Sequence, residues 1–379
     1  MIARITRRAG VAVAFAGWSL ACADTALCQQ PSGASDSLAV QDSAGSRRTT
    51  IIPFPFVFYT PETDVGFGAM LATLFRLSEN ESEDQPSSVS PVFVYTLKRQ
   101  IIASVSPELY LRDGALRVSG EVTYERFPNT LWGVGNETPD TLEEDYTPRT
   151  FNAGAELQRR VAPGWYLGGA IRFEDRKLVE VEEGRLLDTG AVPGTGDGQV
   201  VSGGALVTWD TRDNTVYPRA GGYRVLQVSV SNSAFGSDHN FTRCTLDVRQ
   251  YAPVLGTHVV ALRGLGIAAG GTSPFDHLAQ LGGEDLLRGY YGGRYRDRSL
   301  LAFQIEYRVP IWWRIGAVGF AEAGQVSHDL GEFRFAGFKP AAGFGLRFLL
   351  SPSEGLNLRA DFGFGNGTSG FYLGMGEVF

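Results

Sequence analysis

The last ten residues, Gly370–Phe379, read GFYLGMGEVF and decide the fold. Alternate side chains of a β-strand point to the same side of a sheet, so Phe371, Leu373, Met375 and Phe379 would share one apolar face. A chain end in water usually frays, whereas a last strand that pairs with the first stays ordered. The stretch is therefore typical of the closing strand of a transmembrane β-barrel, with these four residues facing lipid as its signal.

The same pattern continues upstream to Ile51. Sixteen runs of alternating apolar and polar residues follow one another, separated by turn residues. An even number of strands lets the first and last meet, so that no edge is left unpaired in lipid. Beyond residue 30, no apolar run reaches the roughly 18 to 20 residues that a helix needs to cross a bilayer. The sequence predicts an all-β fold, a transmembrane antiparallel β-barrel of about 16 strands over residues 51–379.

Loop lengths predict the orientation of this barrel. Barrels of the bacterial outer membrane have short periplasmic turns and long outer loops. The short connections here follow even-numbered runs: 112–114, 162–164, 252–256 and 351–355. The long ones follow odd-numbered runs: 128–148, 175–199, 270–298 and 325–340. Both chain ends should therefore be periplasmic, and a soluble β-sandwich has no reason to separate loop lengths in this way.

The first 50 residues predict export. Three arginines precede the apolar stretch Val11–Ala23, which is too short to span a bilayer and is typical of a cleaved signal peptide. We place that peptide at residues 1–28, with lipid attachment at Cys22 as the alternative. Residues 29–50 are rich in Ser, Gln, Asp and Ala and are predicted to be a disordered periplasmic leader. The expected location is the bacterial outer membrane.

Composition argues against several classes of partner and chemistry. The net charge of −7 disfavours a nucleic-acid partner, which would require a basic face. The four histidines are scattered, and Cys244 is the one cysteine outside the N-terminal region, so we expect no metal and no cofactor. No Gly-x-Ser-x-Gly motif is present, and we expect no catalytic residues and no enzyme activity. The expected surroundings are outer-membrane lipid and lipopolysaccharide.

Aromatic side chains stand near the predicted strand ends. Trp132, Trp165, Tyr166, Trp312 and Trp313 occupy these positions. Indole and phenol rings favour the interface between membrane and water. The five residues are predicted to anchor the barrel at that interface.

The long connection before the twelfth run contains Gly282–Gly293, GGEDLLRGYYGG. It is too long and glycine-rich for a simple connector and can fold back into the barrel. Arg288 would then need carboxylate partners, because a bidentate guanidinium pair holds a cation efficiently away from water. Glu306 and Glu322 lie in the middle of the next two runs, where a carboxylate is costly toward lipid and acceptable toward the lumen. We predict that Arg288 pairs with Glu322, with Glu306 as a further candidate.

Two of these stretches resemble motifs of one family, the BamA/TamA superfamily or bacterial surface antigen family. Leu287–Tyr290, LRGY, is similar to the Arg-Gly-aromatic motif of the family's sixth outer loop. Phe320–Gly324, FAEAG, is similar to its Phe-x-Asp-x-Gly strand motif, with Glu322 in place of the usual Asp. The weaker likenesses are an inner turn with Asp210, Arg212, Asp213, Pro218 and Gly221, and the last two strands, Leu358–Phe364 and Leu373–Phe379.

The resemblance implies a sixteen-stranded barrel with a weak seam between its first and last strands. Its inward loop would be held by Arg288, Gly289 and Tyr290 against Glu322 and Gly324. Such barrels help outer-membrane proteins to insert or move substrates across the membrane, so unfolded outer-membrane proteins or a separate periplasmic partner are the expected clients. The family's periplasmic polypeptide-transport-associated (POTRA) domains are expected to be absent, because residues 29–50 are too few for one. A passive, porin-like channel with the same fold remains the alternative.

Overall fold

The structure is a computed structural model that describes residues 49–75, 87–112, 114–351 and 355–379. The predicted signal peptide, residues 1–28, lies outside this part of the chain. So do all but the last two residues of the predicted leader, residues 29–50.

Sixteen long antiparallel strands, each paired with its neighbours in sequence, close into one barrel. They are β1 Thr50–Thr60, β2 Asp64–Phe75, β3 Ser87–Thr96, β4 Ile101–Leu111, β5 Leu116–Arg126, β6 Glu144–Ala162, β7 Trp165–Val181, β8 Gly198–Asp210, β9 Gly221–Ser231, β10 Phe241–Val254, β11 His258–Gly271, β12 Ser299–Trp312, β13 Ile315–Ser327, β14 Lys339–Ser351, β15 Leu356–Phe364 and β16 Ser369–Met375. The predicted fold class and strand number are confirmed. No helix in the described part of the chain is long and apolar enough to cross a membrane.

The strands face apolar side chains outward and polar ones inward. On β12, Phe303 and Ile305 are 54% and 44% exposed, whereas Glu306 and Arg308 are 0% and 1% exposed. A soluble barrel would place its apolar side chains inside, away from water. The observed alternation is that of a transmembrane barrel, in which lipid covers the outer face and the charged side chains face the lumen.

The lumen is occupied from both ends. The outer connection between β11 and β12 folds inward and carries a small hairpin of two short strands, Ala279–Leu281 and Tyr295–Asp297. At the other end, the inner turn between β8 and β9 folds under the barrel. Its Val216 packs with Phe56, Phe58 and Met375 in an apolar cluster on the inner face. The two segments leave a partly filled interior.

The barrel closes weakly between its first and last strands. β1 pairs with β2 over its whole length, in an unbroken register from Thr50↔Leu74 to Thr60↔Asp64. Across the seam between β1 and β16, one pair is formed, Tyr59↔Leu373. The seam is therefore the weakest strand contact in the barrel wall among the described residues.

The closing strand is shorter than predicted. β16 ends at Met375, and Gly376 takes a left-handed φ of +74°. Phe371 stays on the outer wall, with its ring 4.7 Å from that of Phe362. Met375 and Phe379 are 7% and 5% exposed and turn into the lumen. The expectation that all four signal residues face lipid is wrong for these two.

Glu377 gives the physical reason for this turn. A strand continued to Phe379 would place Glu377 on the lipid face, where a carboxylate is costly. Inside the barrel its carboxylate accepts hydrogen bonds from Arg347 Nε at 2.9 Å and from Asn357 Nδ2 at 2.7 Å. The last four residues therefore form a tail inside the lumen instead of the end of a strand.

The predicted aromatic anchors divide into two groups. Trp312 and Trp313 are 72% and 71% exposed at the inner end of β12, and Trp165 is 44% exposed at the start of β7. Trp132 and Tyr166 are buried, and an arginine guanidinium lies beside each ring. The membrane-anchor expectation is wrong for these two residues, because Tyr166 points into the barrel and Trp132 packs against Tyr291 of the connection between β11 and β12.

Glycines of β2 make room for phenylalanines of β1. Phe56 lies opposite Gly68 and Phe58 opposite Gly66. A Cβ atom at either glycine would overlap the ring of its partner. An aromatic ring that covers a facing glycine pins the register of a strand pair.

Replacing Gly68 with alanine should lower the free energy of unfolding by about 1–3 kcal/mol, because the Phe56 ring must move. Urea unfolding in lipid vesicles, followed by tryptophan fluorescence, measures this change. Gly319→Ala is the matched control, because nothing lies within 4 Å of a Cβ at Gly319. Equal unfolding midpoints for the two variants would contradict this account of the β1–β2 contact.

Candidate functional site

The inward loop is seated by apolar contacts and glycine turns. Leu281, Leu287 and Tyr290 are buried in one cluster with side chains of the barrel wall. Gly324 of β13 lies against Leu281, whose side chain would overlap a Cβ atom at this position. Gly289 takes a φ of +107°, which favours glycine. The glycine-rich sequence thus lets the loop bend tightly against the wall.

Arg288 lies at the centre of this loop and is fully buried. Its Nε donates to Glu322 Oε1 at 2.8 Å, and its backbone N–H donates to Glu322 Oε2 at 2.6 Å. Its Nη2 donates to Glu306 Oε1 at 2.8 Å. The structure thus brings the three charged residues of the predicted lumen site together.

Sequence reasoning missed a third carboxylate. Asp361 of β15 accepts a hydrogen bond from Arg288 Nη1 at 2.8 Å, and Asp361 is fully buried. Its place in the middle of an alternating strand was a visible signal, as it was for Glu306 and Glu322. We call Arg288 with Glu306, Glu322 and Asp361 the arginine cluster.

The arginine cluster belongs to a larger buried network. Arg308 Nε donates to Glu306 Oε2 at 2.9 Å, and Arg359 Nη2 donates to Glu284 Oε1 at 3.1 Å. Arg347 joins Asp361 to Glu377. Burial raises the pKa of Glu284, a loop residue, well above its usual value. Each of these buried arginines thus has at least one carboxylate partner, which offsets the cost of removing its charge from water.

The two residues after Arg288 tie the loop to the end of the chain. Gly289 N donates to the Tyr372 hydroxyl of β16 at 2.9 Å. Tyr290 donates its hydroxyl proton to Pro340 O at 3.1 Å and accepts from Asn366 N at 2.9 Å. The predicted loop residues therefore contact the strand on one side of the seam.

Glu62 ties the loop to the other side of the seam. It lies in the turn between β1 and β2, is 2% exposed, and accepts a hydrogen bond from Gly292 N. Burial raises the pKa of this carboxyl above its usual value. No sequence signal identified Glu62, because the closeness of this turn to the loop depends on barrel closure. The loop thus bridges a seam that the sheet itself barely closes.

The residues of the predicted inner turn lie at the opposite end of the barrel. Asp210 Oδ1 and Oδ2 accept from Arg212 Nε and Nη2 at 2.9 and 2.7 Å. Asp213 Oδ1 accepts backbone hydrogen bonds from Arg219 and Ala220 at 2.9 and 3.1 Å. Pro218 is buried and Gly221 takes a φ of +88°. These residues organise the turn and have no contact with Arg288.

A group with metal-ligand chemistry lies near the outer end of the lumen. Atoms of Glu174, Asp276 and His277 lie within 4.8 Å of one another. His277 Nε2 is 3.0 Å from Glu174 Oε1, and Arg176 Nη1 is 3.1 Å from Asp276 Oδ1. Because a guanidinium already balances this cluster, its geometry is that of an ion-pair network and does not favour a cation.

The rest of the lumen holds a cavity of about 310 Å³. Its walls are mixed: apolar side chains contribute somewhat more surface than polar ones, and the charged lining includes Glu108 and Glu121 from β4 and β5 and Arg243 and Arg263 from β10 and β11. Residues 282–286 of the inward loop form part of its lining. The inward loop therefore narrows the space that remains inside the barrel.

Comparison with known proteins identifies the family. Residues 98–379 match the model of the Omp85 superfamily domain. The chain belongs to the Omp85 superfamily. Membership implies a barrel of the bacterial outer membrane. No curated protein matches the sequence.

Solved structures share the fold at low sequence identity. BamA from Haemophilus ducreyi lacking POTRA domains 1–3 has a TM-score of 0.59 at 15% identity, over 87% of this chain and 70% of that one. CdiB from Acinetobacter baumannii has a TM-score of 0.56 at 10% identity, over 86% and 65%. CdiB from Escherichia coli has a TM-score of 0.55 at 9% identity, over 84% and 62%. This Omp85 barrel thus spans just under two thirds of either CdiB chain.

Replacing Gly289 with alanine should unseat the loop of this Omp85 barrel. A Cβ there would lie 2.8 Å from Phe364 N, a backbone atom that cannot easily move. We expect trypsin to cleave the loop of Gly289→Ala after Arg288 or Arg294 at least tenfold faster than in the unmodified barrel, since a loss of about 1.4 kcal/mol gives a tenfold change.

Gly367→Ala is the matched control for this cleavage experiment. Gly367 also has a positive φ, +73°, but a Cβ there meets nothing within 4 Å. It therefore carries the backbone strain of the substitution without the collision. Equal cleavage rates for Gly289→Ala and Gly367→Ala would contradict the proposed seating of the loop.

Proposed function

We propose that this Omp85 barrel acts in the outer membrane as an assembly or translocation barrel, which inserts other outer-membrane proteins or moves a substrate across. The observation that carries the proposal is the fully buried Arg288, held by three carboxylates beside a seam with one strand pair. Its expected partners are lipid and lipopolysaccharide, together with an unfolded outer-membrane protein or a separate periplasmic protein.

The arginine cluster would act as a lock on the loop. Removing charges from water is costly, and the attraction between them offsets that cost only when the hydrogen bonds are well formed. Arg288 meets this condition, because its side chain donates to Glu306, Glu322 and Asp361 at the same distance of 2.8 Å. Breaking such a buried pair costs about 3–5 kcal/mol, so the loop would hold one position.

The seam would be the moving part. Neighbouring strands elsewhere in the wall pair over most of their length, whereas β1 and β16 share one pair. Unpaired backbone groups are costly in lipid, so an open seam would favour an added strand or a rearrangement of the local bilayer. The inward loop, tied to Tyr372 on one side and to Glu62 on the other, would control how far the seam opens.

A passive channel is less well supported. The loop occupies the outer part of the lumen, while the inner turn and the tail occupy the inner part. The loop also lines the remaining cavity of about 310 Å³. Ion flow through such a lumen should be small and irregular.

The proposal is tested by reconstituting the purified barrel into liposomes and adding a urea-denatured eight-stranded outer-membrane barrel. Protease-protected, folded client should appear faster than in empty liposomes. Arg288→Ala should abolish the acceleration, because Glu306, Glu322 and Asp361 lose their shared cation and the loop is released. Ion conductance is recorded on the same vesicles.

Arg298→Ala is the matched control. Arg298 lies at the end of the same loop and bonds to Gly271 O and to His328, outside the arginine cluster. It should retain the acceleration. Steady conductance without any acceleration by the unmodified barrel would contradict the proposal and would indicate a pore.

A further inference from the structure

Two prolines lie in the first strand of the barrel. Pro53 and Pro55 belong to β1, and both are exposed on its outer face. Proline has no backbone N–H, so within sheets it is confined to edge strands, strand starts and bulges. The β1–β2 register is unbroken, so β1 contains no bulge. Along an antiparallel strand, the backbone N–H and C=O groups of successive residues point alternately toward one neighbouring strand and toward the other.

The direction of these peptide groups follows from the neighbouring hairpin. Val65 O of β2 accepts a hydrogen bond from Leu97 N, which directly follows β3, so Val65 points its backbone groups away from β1. Its partner Tyr59 is then not hydrogen-bonded to β2 and points its N–H and C=O toward β16, where it pairs with Leu373. Every second residue before Tyr59 shares this direction. Pro55 and Pro53 therefore lie on the seam edge.

The same register explains where the tail leaves the wall. Continuing the antiparallel pairing from Tyr59↔Leu373 would set Pro55 opposite Glu377 and Pro53 opposite Phe379. These residues belong to the tail that turns into the lumen. A strand alongside the prolines would find two acceptors and no donors. The tail thus leaves the wall at the part of the seam where β1 lacks backbone donors.

We propose that Pro53 and Pro55 close the N-terminal half of the β1 edge to strand addition. An extended polypeptide that enters the seam can then use adjacent donors of β1 at Val57 and Tyr59, and it meets no further donor until Ile51, beyond both prolines. β1 therefore accepts a short strand segment and disfavours a long one. The prolines also remove two N–H groups that would otherwise face lipid without a partner, where each would cost several kcal/mol. This mirrors the use of proline to protect sheet edges from unwanted pairing.

The inference depends on the proposed function in one respect only, namely which natural polypeptide enters the seam as the added strand. It is tested with the full chain in lipid nanodiscs, with Cys244→Ser and Ile51→Cys. Ile51 lies on the same seam edge, beyond the prolines. The probe is a synthetic ten-residue peptide of alternating Val and Thr with one central cysteine, and the measured quantity is the yield of the disulfide between peptide and β1.

Pro53→Thr/Pro55→Thr should raise this yield about tenfold, because two donors for backbone hydrogen bonds are restored. Pro91→Thr, a proline of β3 away from the seam, is the matched control and should leave the yield unchanged. Equal yields with and without the two prolines, whether high or low, would overturn the inference. If the double variant does not fold, Pro53→Thr and Pro55→Thr are tested singly, and each restores one donor.

This experiment is separate from the insertion assay. The disulfide reports strand pairing itself, so a barrel that fails to accelerate insertion still gives an interpretable yield. An unchanged yield would leave the Arg288 experiment unaffected.

Discussion

The arrangement of side chains inside this barrel depends on the buried guanidinium of Arg288. Arg288 has no access to water, so its charge must be balanced by the wall, and β12, β13 and β15 each supply one carboxylate. Those carboxylates are in turn held by other arginines, which extends the network to the tail through Arg347 and Glu377. The loop, three strands and the chain end are thereby joined in one buried network of charges. Displacing the loop would remove Arg288 from this network and leave the wall carboxylates without their shared cation.

The seam between β1 and β16, by contrast, is held by very few contacts. The wall is continuous everywhere in the described strands, yet β1 and β16 meet at a single pair. What connects the two sides is the loop, through Tyr372 on β16 and Glu62 beside β1. A loop held by buried ion pairs beside a weak strand contact would let the position of the loop control how far the seam opens. This coupling underlies the proposed role in assembly or translocation.

The sequence predicted the barrel well because its pattern is local. Alternation with period two placed Glu306 and Glu322 inward, and the requirement for counter-charges linked them to Arg288. Asp361 carried the same local signal, but which strands surround the loop is set by closure of the barrel. Glu62 gave no signal at all, because a turn carboxylate is usually solvated. The tail was predicted wrongly, because the buried partners that Glu377 finds in the lumen, Arg347 and Asn357, lie on other strands and are brought to it by the fold.

A double-mutant cycle between Arg288 and Glu322 tests the central claim most directly. Urea unfolding in lipid vesicles would be measured for Arg288→Met, Glu322→Gln, the double variant and the unmodified barrel. Residues in one buried network show interaction energies of about 0.5–3 kcal/mol, and the present account predicts a value in the upper half of this range. A coupling energy near zero would contradict it, because the two side chains would then contribute independently and the loop would not depend on their contact.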